Sequence, residues 1–202
     1  KMGYYNESVT LGEQYYREAL ANNPATQSER LHFAQYEMLR AKLGSAYGKG
    51  AEVSGQAAAL LEVAKANGYH GAAVKYLMLM ANESPTRTDR FAAKEELVRT
   101  YPDSQPAFRA KVDLAGKAYA EGDKEKARTL AQDALAQASG DYQKDYAENI
   151  RYNVLYINAT LLDESGRADL SAPMWEEIEN YQYKDSWIYV DEIMKGESSG
   201  YY

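Results

Sequence analysis

The chain has no cysteine, only two histidines and only five prolines in 202 residues. Without cysteine there can be no disulfide, thiol nucleophile or cysteine-ligated zinc site. His32 and His70 fall in different predicted helices and lack a partner at metal-ligand spacing, so we expect no metal site. No apolar run approaches the roughly 18 residues that a membrane-spanning helix requires, so we expect no direct membrane span.

Acidic residues outnumber basic ones, with 30 aspartates and glutamates against 23 lysines and arginines, and the formal net charge is -7. Nucleic-acid binding depends on a basic stripe that neutralises phosphates, and no such stripe is present. The nucleotide-binding patterns G-x-x-x-x-G-K-[S/T] and G-x-G-x-x-G are absent. Acidic runs such as residues 176–179 are most often solvated helix faces. We therefore expect no catalytic residue, no cofactor and no nucleic-acid partner, and the protein is predicted not to be an enzyme.

Tyrosine is the aromatic residue in excess, with 19 tyrosines against three phenylalanines and two tryptophans. A tyrosine ring can fill the edge of a core while its hydroxyl reaches solvent, which favours packing along helix edges. Tyrosine is also enriched in protein interfaces, which favours a tyrosine-lined groove. The composition leaves both interpretations open.

The apolar pattern repeats as pairs of helices. The clearest pair begins at Phe108, and its first helix is broken by Gly122 and Asp123. In its second helix, small and apolar residues recur at i, i+4, i+7 and i+8, and they are Ala127, Ala131, Ala134 and Leu135. Alanines on facing stripes allow two helices to approach closely as an antiparallel hairpin.

The same apolar pattern recurs at Leu43, Leu77, Leu114 and Ile150, with steps of 34, 37 and 36 residues. A helix-turn-helix repeat of the tetratricopeptide class has a period of about 34 residues. A hairpin of this size cannot bury its apolar face alone, whereas a stack of hairpins can. The spacing therefore predicts a helical repeat of about three to five hairpins.

Glycine and proline turns separate the apolar segments, and no segment alternates strictly enough to be a strand. Helices are predicted over residues 5–21, 27–48, 52–67, 70–82, 86–100, 106–121, 124–138, 142–164, 168–182 and 185–194. The predicted fold is all-α: a right-handed α-solenoid of antiparallel helix hairpins with about nine or ten helices. A single domain is expected over residues 1–202, with the best-defined repeats at 70–139 and atypical caps at 1–24 and 185–202.

The segment FAAKEELVRTYPDSQPAFRAKVDLAGKAYAEGD resembles tetratricopeptide repeats, and the resemblance is best over residues 86–139. It is closest to bacterial envelope members of the family, of the tol-pal coordinator and outer-membrane assembly lipoprotein types. Those proteins often join repeats by a Tyr-Pro-x-Ser linker, which residues 101–104 match, before an alanine-rich helix that here carries Ala107 and Ala110. The resemblance implies an adaptor that binds other proteins and a periplasmic or outer-membrane-associated location.

Mapping the repeat onto the chain places Lys75, Arg109, Tyr119, Tyr152 and Tyr156 on the inner face of the first helices. We predict that these residues bind a peptide or partner protein in a concave groove. The alternative for Tyr152 and Tyr156 is packing between repeats.

Other functions are weighed against this adaptor. Tyrosine pairs at residues 4–5 and 201–202 favour self-assembly of a structural envelope protein as a homo-oligomer. A small-ligand carrier or an enzyme with a carboxylate pocket is less favoured, because the motifs for such chemistry are lacking.

Overall fold

The computed structural model describes residues 28–45, 48–138 and 155–180, together with residues 7, 10–14 and 18. Every regular element in these ranges is helical, which confirms the predicted all-α class. The helices are α1 (Glu29–Ser45), α2 (Gly50–Ala66), α3 (His70–Glu83), α4 (Arg87–Thr100), α5 (Gln105–Ala120), α6 (Lys124–Ala138), α7 (residues 155–164) and α8 (Ala168–Glu179). Residues 10–14 are also helical. The helix predicted at 185–194 and residues 142–154 of the one predicted at 142–164 lie outside the described residues.

Most predicted helix ends lie within about two residues of the observed ones, which is the usual disagreement between methods of assignment. Two ends differ by three residues, since the helix predicted over 27–48 ends at Ser45 and the one predicted over 168–182 ends at Glu179. Gly48 takes a φ of +83°, which no right-handed helix can include. This glycine therefore belongs to the connection before α2.

One turn recurs between three pairs of helices, with Gly68 before α3, Gly122 before α6 and Gly166 before α8. These glycines have φ values of +71°, +83° and +75°. In each turn the glycine N–H donates to the carbonyl three residues back, and the next N–H donates to the carbonyl five residues back. Such a turn satisfies the last carbonyls of a helix and favours glycine, which has no Cβ to clash at positive φ.

Replacing Gly122 by alanine should lower the free energy of unfolding by about 1–2 kcal/mol, because alanine is strained at a φ of +83°. Nothing lies within 4 Å of the added Cβ, so no steric clash contributes. The matched control is Gly55→Ala at an exposed position of α2, which should stabilise by about 0.5–1 kcal/mol. Urea unfolding followed by circular dichroism measures both changes. If both variants shifted in the same direction, the left-handed turn would not explain Gly122.

Contacts divide the chain into two compact units, the first extending to Tyr101 and the second starting at Pro102. In the first unit, α2 packs against α3, α3 packs against α4, and α1 packs against both α2 and α3. Alanines at the α2–α3 contact, among them Ala57, Ala64, Ala72 and Ala73, are buried. Packing of a helix on its neighbour and on the next helix but one is consistent with a helical repeat.

A buried polar network joins α1 to α3. The Tyr76 hydroxyl lies 2.9 Å from Nδ1 of His32, 3.0 Å from the His32 carbonyl oxygen and 3.3 Å from Oε1 of Gln35. A phenol has one proton to donate and lone pairs that accept, so it can bridge these groups. Burial, partly offset by the Glu29 carboxylate, lowers the pKa of His32, and the ring is therefore neutral at pH 7.

The same two helices meet at a helix terminus. Oε1 of Glu29 on α1 accepts hydrogen bonds from the backbone N–H groups of Gly71 at 2.9 Å and Ala72 at 3.3 Å, in the first turn of α3. A carboxylate at this position satisfies free amides and complements the helix dipole. The cap thus sets the position of α1 along α3.

In the second unit, α5 and α6 pack as a hairpin whose core includes part of α7. Its buried members are Phe108, Val112, Ala115, Ala118, Ala127, Ala131, Ala134, Ile157 and Leu161. The three alanines predicted for the stripe of α6 therefore lie in the core. Buried Asn158 of α7 donates through Nδ2 to the carbonyl oxygen of Ala131 at 3.1 Å. A smaller cluster of Leu155, Ala159 and Ile178 joins α7 to α8.

Candidate functional site

Lys75, predicted to face the groove, lies in the first unit on α3. Its Nζ atom is 4.4 Å from the ring centroid of Tyr36 and 5.6 Å from that of Phe33, both on α1. At these distances a lysine is attracted to the ring faces. Packing against these two rings of α1 explains why Lys75 is half-buried. A role of Lys75 in binding stays a prediction.

The other predicted residues belong to the second unit. Arg109 lies half-buried in α5, Tyr119 lies near the end of the same helix, and Tyr156 lies on α7. Glu164, burial and then Tyr156 raise the pKa of Tyr119. Tyr152 lies outside the described residues.

A hydrogen-bonded triad holds Tyr119. Its hydroxyl donates to Oε1 of Glu164, and Nζ of Lys124 donates to Oε2 of the same carboxylate at 2.7 Å. The bond to Glu164, together with burial, raises the pKa of Tyr119 to about 12. Lys124, followed by Tyr119, lowers the pKa of Glu164. The triad joins the ends of α5 and α7 to the start of α6 and fixes the tyrosine ring at a half-exposed position.

A second aromatic pair lies on the α7–α8 hairpin. The rings of Tyr156 and Trp175 form an edge-to-face contact, with centroids 5.3 Å apart and planes at 87°. Nε1 of Trp175 donates to Oδ2 of Asp163 at 2.8 Å, and the Ser171 hydroxyl donates to Oδ1. Asp163 at the end of α7 thus fixes both the first turn of α8 and the indole. We call Tyr156 and Trp175 the aromatic surface.

An apolar cleft of about 250 Å³ lies between α6, α7 and α8. Its lining residues are Arg128, Gln132, Leu135, Asn158, Leu161, Leu162, Leu170 and Met174. Leu170, one of its lining residues, is 44 % exposed. Leu135 and Met174 also pack against the cluster that supports Tyr156 and Trp175. The cleft and the aromatic surface therefore share one supporting hairpin.

Sequence reasoning missed Trp175 and Asp163. It assigned binding to the first helix of each hairpin, whereas Trp175 lies on the second helix of its pair. The available signal was a tryptophan, one of only two in the chain, in a segment rich in carboxylates. Which carboxylate would hold the indole depends on how α7 and α8 pack, and the spacing of residues does not specify that.

Among the residues that the structure describes, no group of three or more histidine or carboxylate side chains is placed to hold a metal ion. None of the helices in these ranges is both long enough and apolar enough to cross a bilayer.

Comparisons of the chain with protein-family models, with curated proteins and with solved structures give no match. The resemblance to tetratricopeptide repeats therefore rests on the sequence pattern.

Proposed function

We propose that the protein is a non-catalytic scaffold that binds a peptide or partner protein through its second unit. The observation that supports this most is the aromatic surface beside the apolar cleft on α7 and α8. Aromatic rings held in place lose little entropy when a partner binds, and they dominate the energy of many interfaces. An exposed leucine such as Leu170 gives the same region apolar area to bury.

We further propose that the hairpins stack as a right-handed solenoid of the tetratricopeptide type. The period of the apolar pattern, the recurring glycine turn and the packing of α1 on both α2 and α3 support it. The first helices would then be α1, α3, α5 and the helix predicted over 142–164. A periplasmic or outer-membrane-associated location is proposed from the resemblance to envelope proteins.

We propose no catalytic role. A serine-hydrolase spacing does occur, as G-E-S-S-G at residues 196–200, outside the described residues. The nucleophile elbow of those enzymes needs a strand immediately before the serine. The preceding segment, residues 185–194, is predicted to be helical.

Affinity capture with the immobilised full chain, followed by binding of the purified partner in a calorimeter, tests the scaffold proposal. Leu170→Glu should weaken the partner's affinity by at least tenfold, about 1.4 kcal/mol, since it places a charge in an apolar contact. Leu11→Glu is the matched control, because Leu11 is 66 % exposed and lies outside the second unit.

A partner that binds the wild type and the Leu170→Glu variant equally would contradict binding at this surface. If the chain captured no partner and instead showed a mass that rose with concentration in light scattering, self-assembly would replace the scaffold proposal.

A further inference from the structure

We propose that the aromatic surface receives a lysine or arginine side chain from a basic segment of the partner. This inference rests on the proposed scaffold function and specifies the chemistry of the partner. It depends on the placement of Trp175, Tyr156 and Asp163, and on the charge of the hairpin that carries them.

The α7–α8 hairpin holds an excess of negative charge. Residues 155–180 contain one basic residue, Arg167, and six acidic residues, which are Asp163, Glu164, Asp169, Glu176, Glu177 and Glu179. Arg167 is already paired with Asp169 at 3.2 Å. In contrast, α5 and α6 together carry more basic than acidic residues. The negative potential is thus local to the hairpin with the aromatic pair, and it complements a cationic partner.

Asp163 differs from the other carboxylates near the aromatic rings. Glu164 is neutralised by Lys124 at 2.7 Å. Asp163 instead accepts hydrogen bonds from two neutral donors, the Ser171 hydroxyl and the Trp175 indole. No lysine or arginine in the described ranges forms an ion pair with it. A carboxylate offers about four lone-pair sites, so this exposed group has room for another donor.

The edge-to-face pair supplies the other half of the site. The two ring planes stand at 87°, and Tyr156 and Trp175 are both half-exposed. An ammonium or guanidinium group within about 6 Å of such a ring is attracted by its quadrupole, most strongly for tryptophan. A basic side chain can therefore contact the indole through its cation while it pairs with Asp163.

The experiment follows the indole N–H signal of Trp175 by NMR in the full chain, with the signal assigned from its loss in Trp175→Phe. The probe is the capped peptide (Lys-Ser)₄, compared with (norleucine-Ser)₄, which keeps the apolar stem of lysine and lacks the ammonium. The lysine peptide should shift the Trp175 signal in a saturable way, and the norleucine peptide should bind at least fivefold more weakly. Raising the salt concentration should weaken binding of the lysine peptide.

Two variants with the same loss of charge localise the effect. Asp163→Asn should lower the affinity for the lysine peptide by about fivefold. A loss of this size is typical of one exposed contact with a cation. Asp169→Asn should change its affinity by less than about twofold, because Asp169 is paired with Arg167.

Equal weakening by the two variants would overturn the inference, since general charge attraction would then explain binding. Equal affinity for the lysine and norleucine peptides, measured on the wild type, would also overturn it and would indicate an apolar ligand. Either result leaves the scaffold proposal standing, because that proposal is tested separately by Leu170→Glu and the captured partner.

Discussion

Replacing Phe108 by alanine should lower the free energy of unfolding by about 3–5 kcal/mol, the largest single-residue effect we expect. Phe108 has no exposed surface and packs in the α5–α6–α7 core. Its neighbours in that core include five alanines, whose short side chains cannot move to fill the space left by the ring. The cavity should therefore persist and add to the lost transfer free energy.

Urea denaturation, followed by far-ultraviolet circular dichroism, measures this loss. Leu170→Ala is the control, since Leu170 is 44 % exposed in the same unit and its truncation should cost less than about 1 kcal/mol. Losses of similar size in the two variants would show that Phe108 does not lie at the centre of the second unit's core.

Tyr76→Phe should destabilise the protein by about 1–3 kcal/mol, although it removes a single oxygen. The buried hydroxyl contacts Nδ1 and the carbonyl oxygen of His32 and the side chain of Gln35. Without it, these polar groups remain buried and lose a partner, and the cost of their desolvation is no longer offset.

Tyr69→Phe provides the matched control for Tyr76→Phe. Tyr69 lies just before α3, and its ring is tilted against the His32 ring at a centroid distance of 5.5 Å. Its hydroxyl has no hydrogen-bond partner among the residues that the structure describes. Loss of the Tyr69 hydroxyl should lower the free energy of unfolding by less than about 0.5 kcal/mol. If both tyrosines gave the same small change in urea midpoint, the network between α1 and α3 would contribute nothing to stability.

The helices were predictable because their signals are local. Ala127, Ala131 and Ala134 recur at helical spacing, and all three are buried. Gly68, Gly122 and Gly166 follow helix ends at a positive φ that glycine adopts without strain, so each break is visible in the sequence. Gly48 was visible too, but the helix predicted over residues 27–48 includes it and is therefore too long.

The partners of polar side chains were not predictable, because they depend on how helices pack. Glu29 caps α3, whose first amides lie more than 40 residues away in the sequence. Asp163 holds an indole on the next helix, so sequence spacing alone could not show that Trp175 would lie beside Tyr156. For the same reason the sequence could not show that the Lys75 ammonium lies over rings of α1, and its role in a groove stays a prediction.

We propose that successive hairpins stack in the order of the sequence. Because the chain has no cysteine, nitroxide labels can be attached at single introduced cysteines, and distances can be measured by electron double resonance. A label at Arg40 on α1 would be paired in turn with a label at Pro85, Ala120 or Ser165. These three positions follow or end α3, α5 and α7, and all are exposed. A solenoid predicts that the distance grows by about 10 Å at each step, the usual spacing of packed helices. A distance to Ser165 no longer than that to Pro85 would contradict serial stacking and indicate a closed bundle.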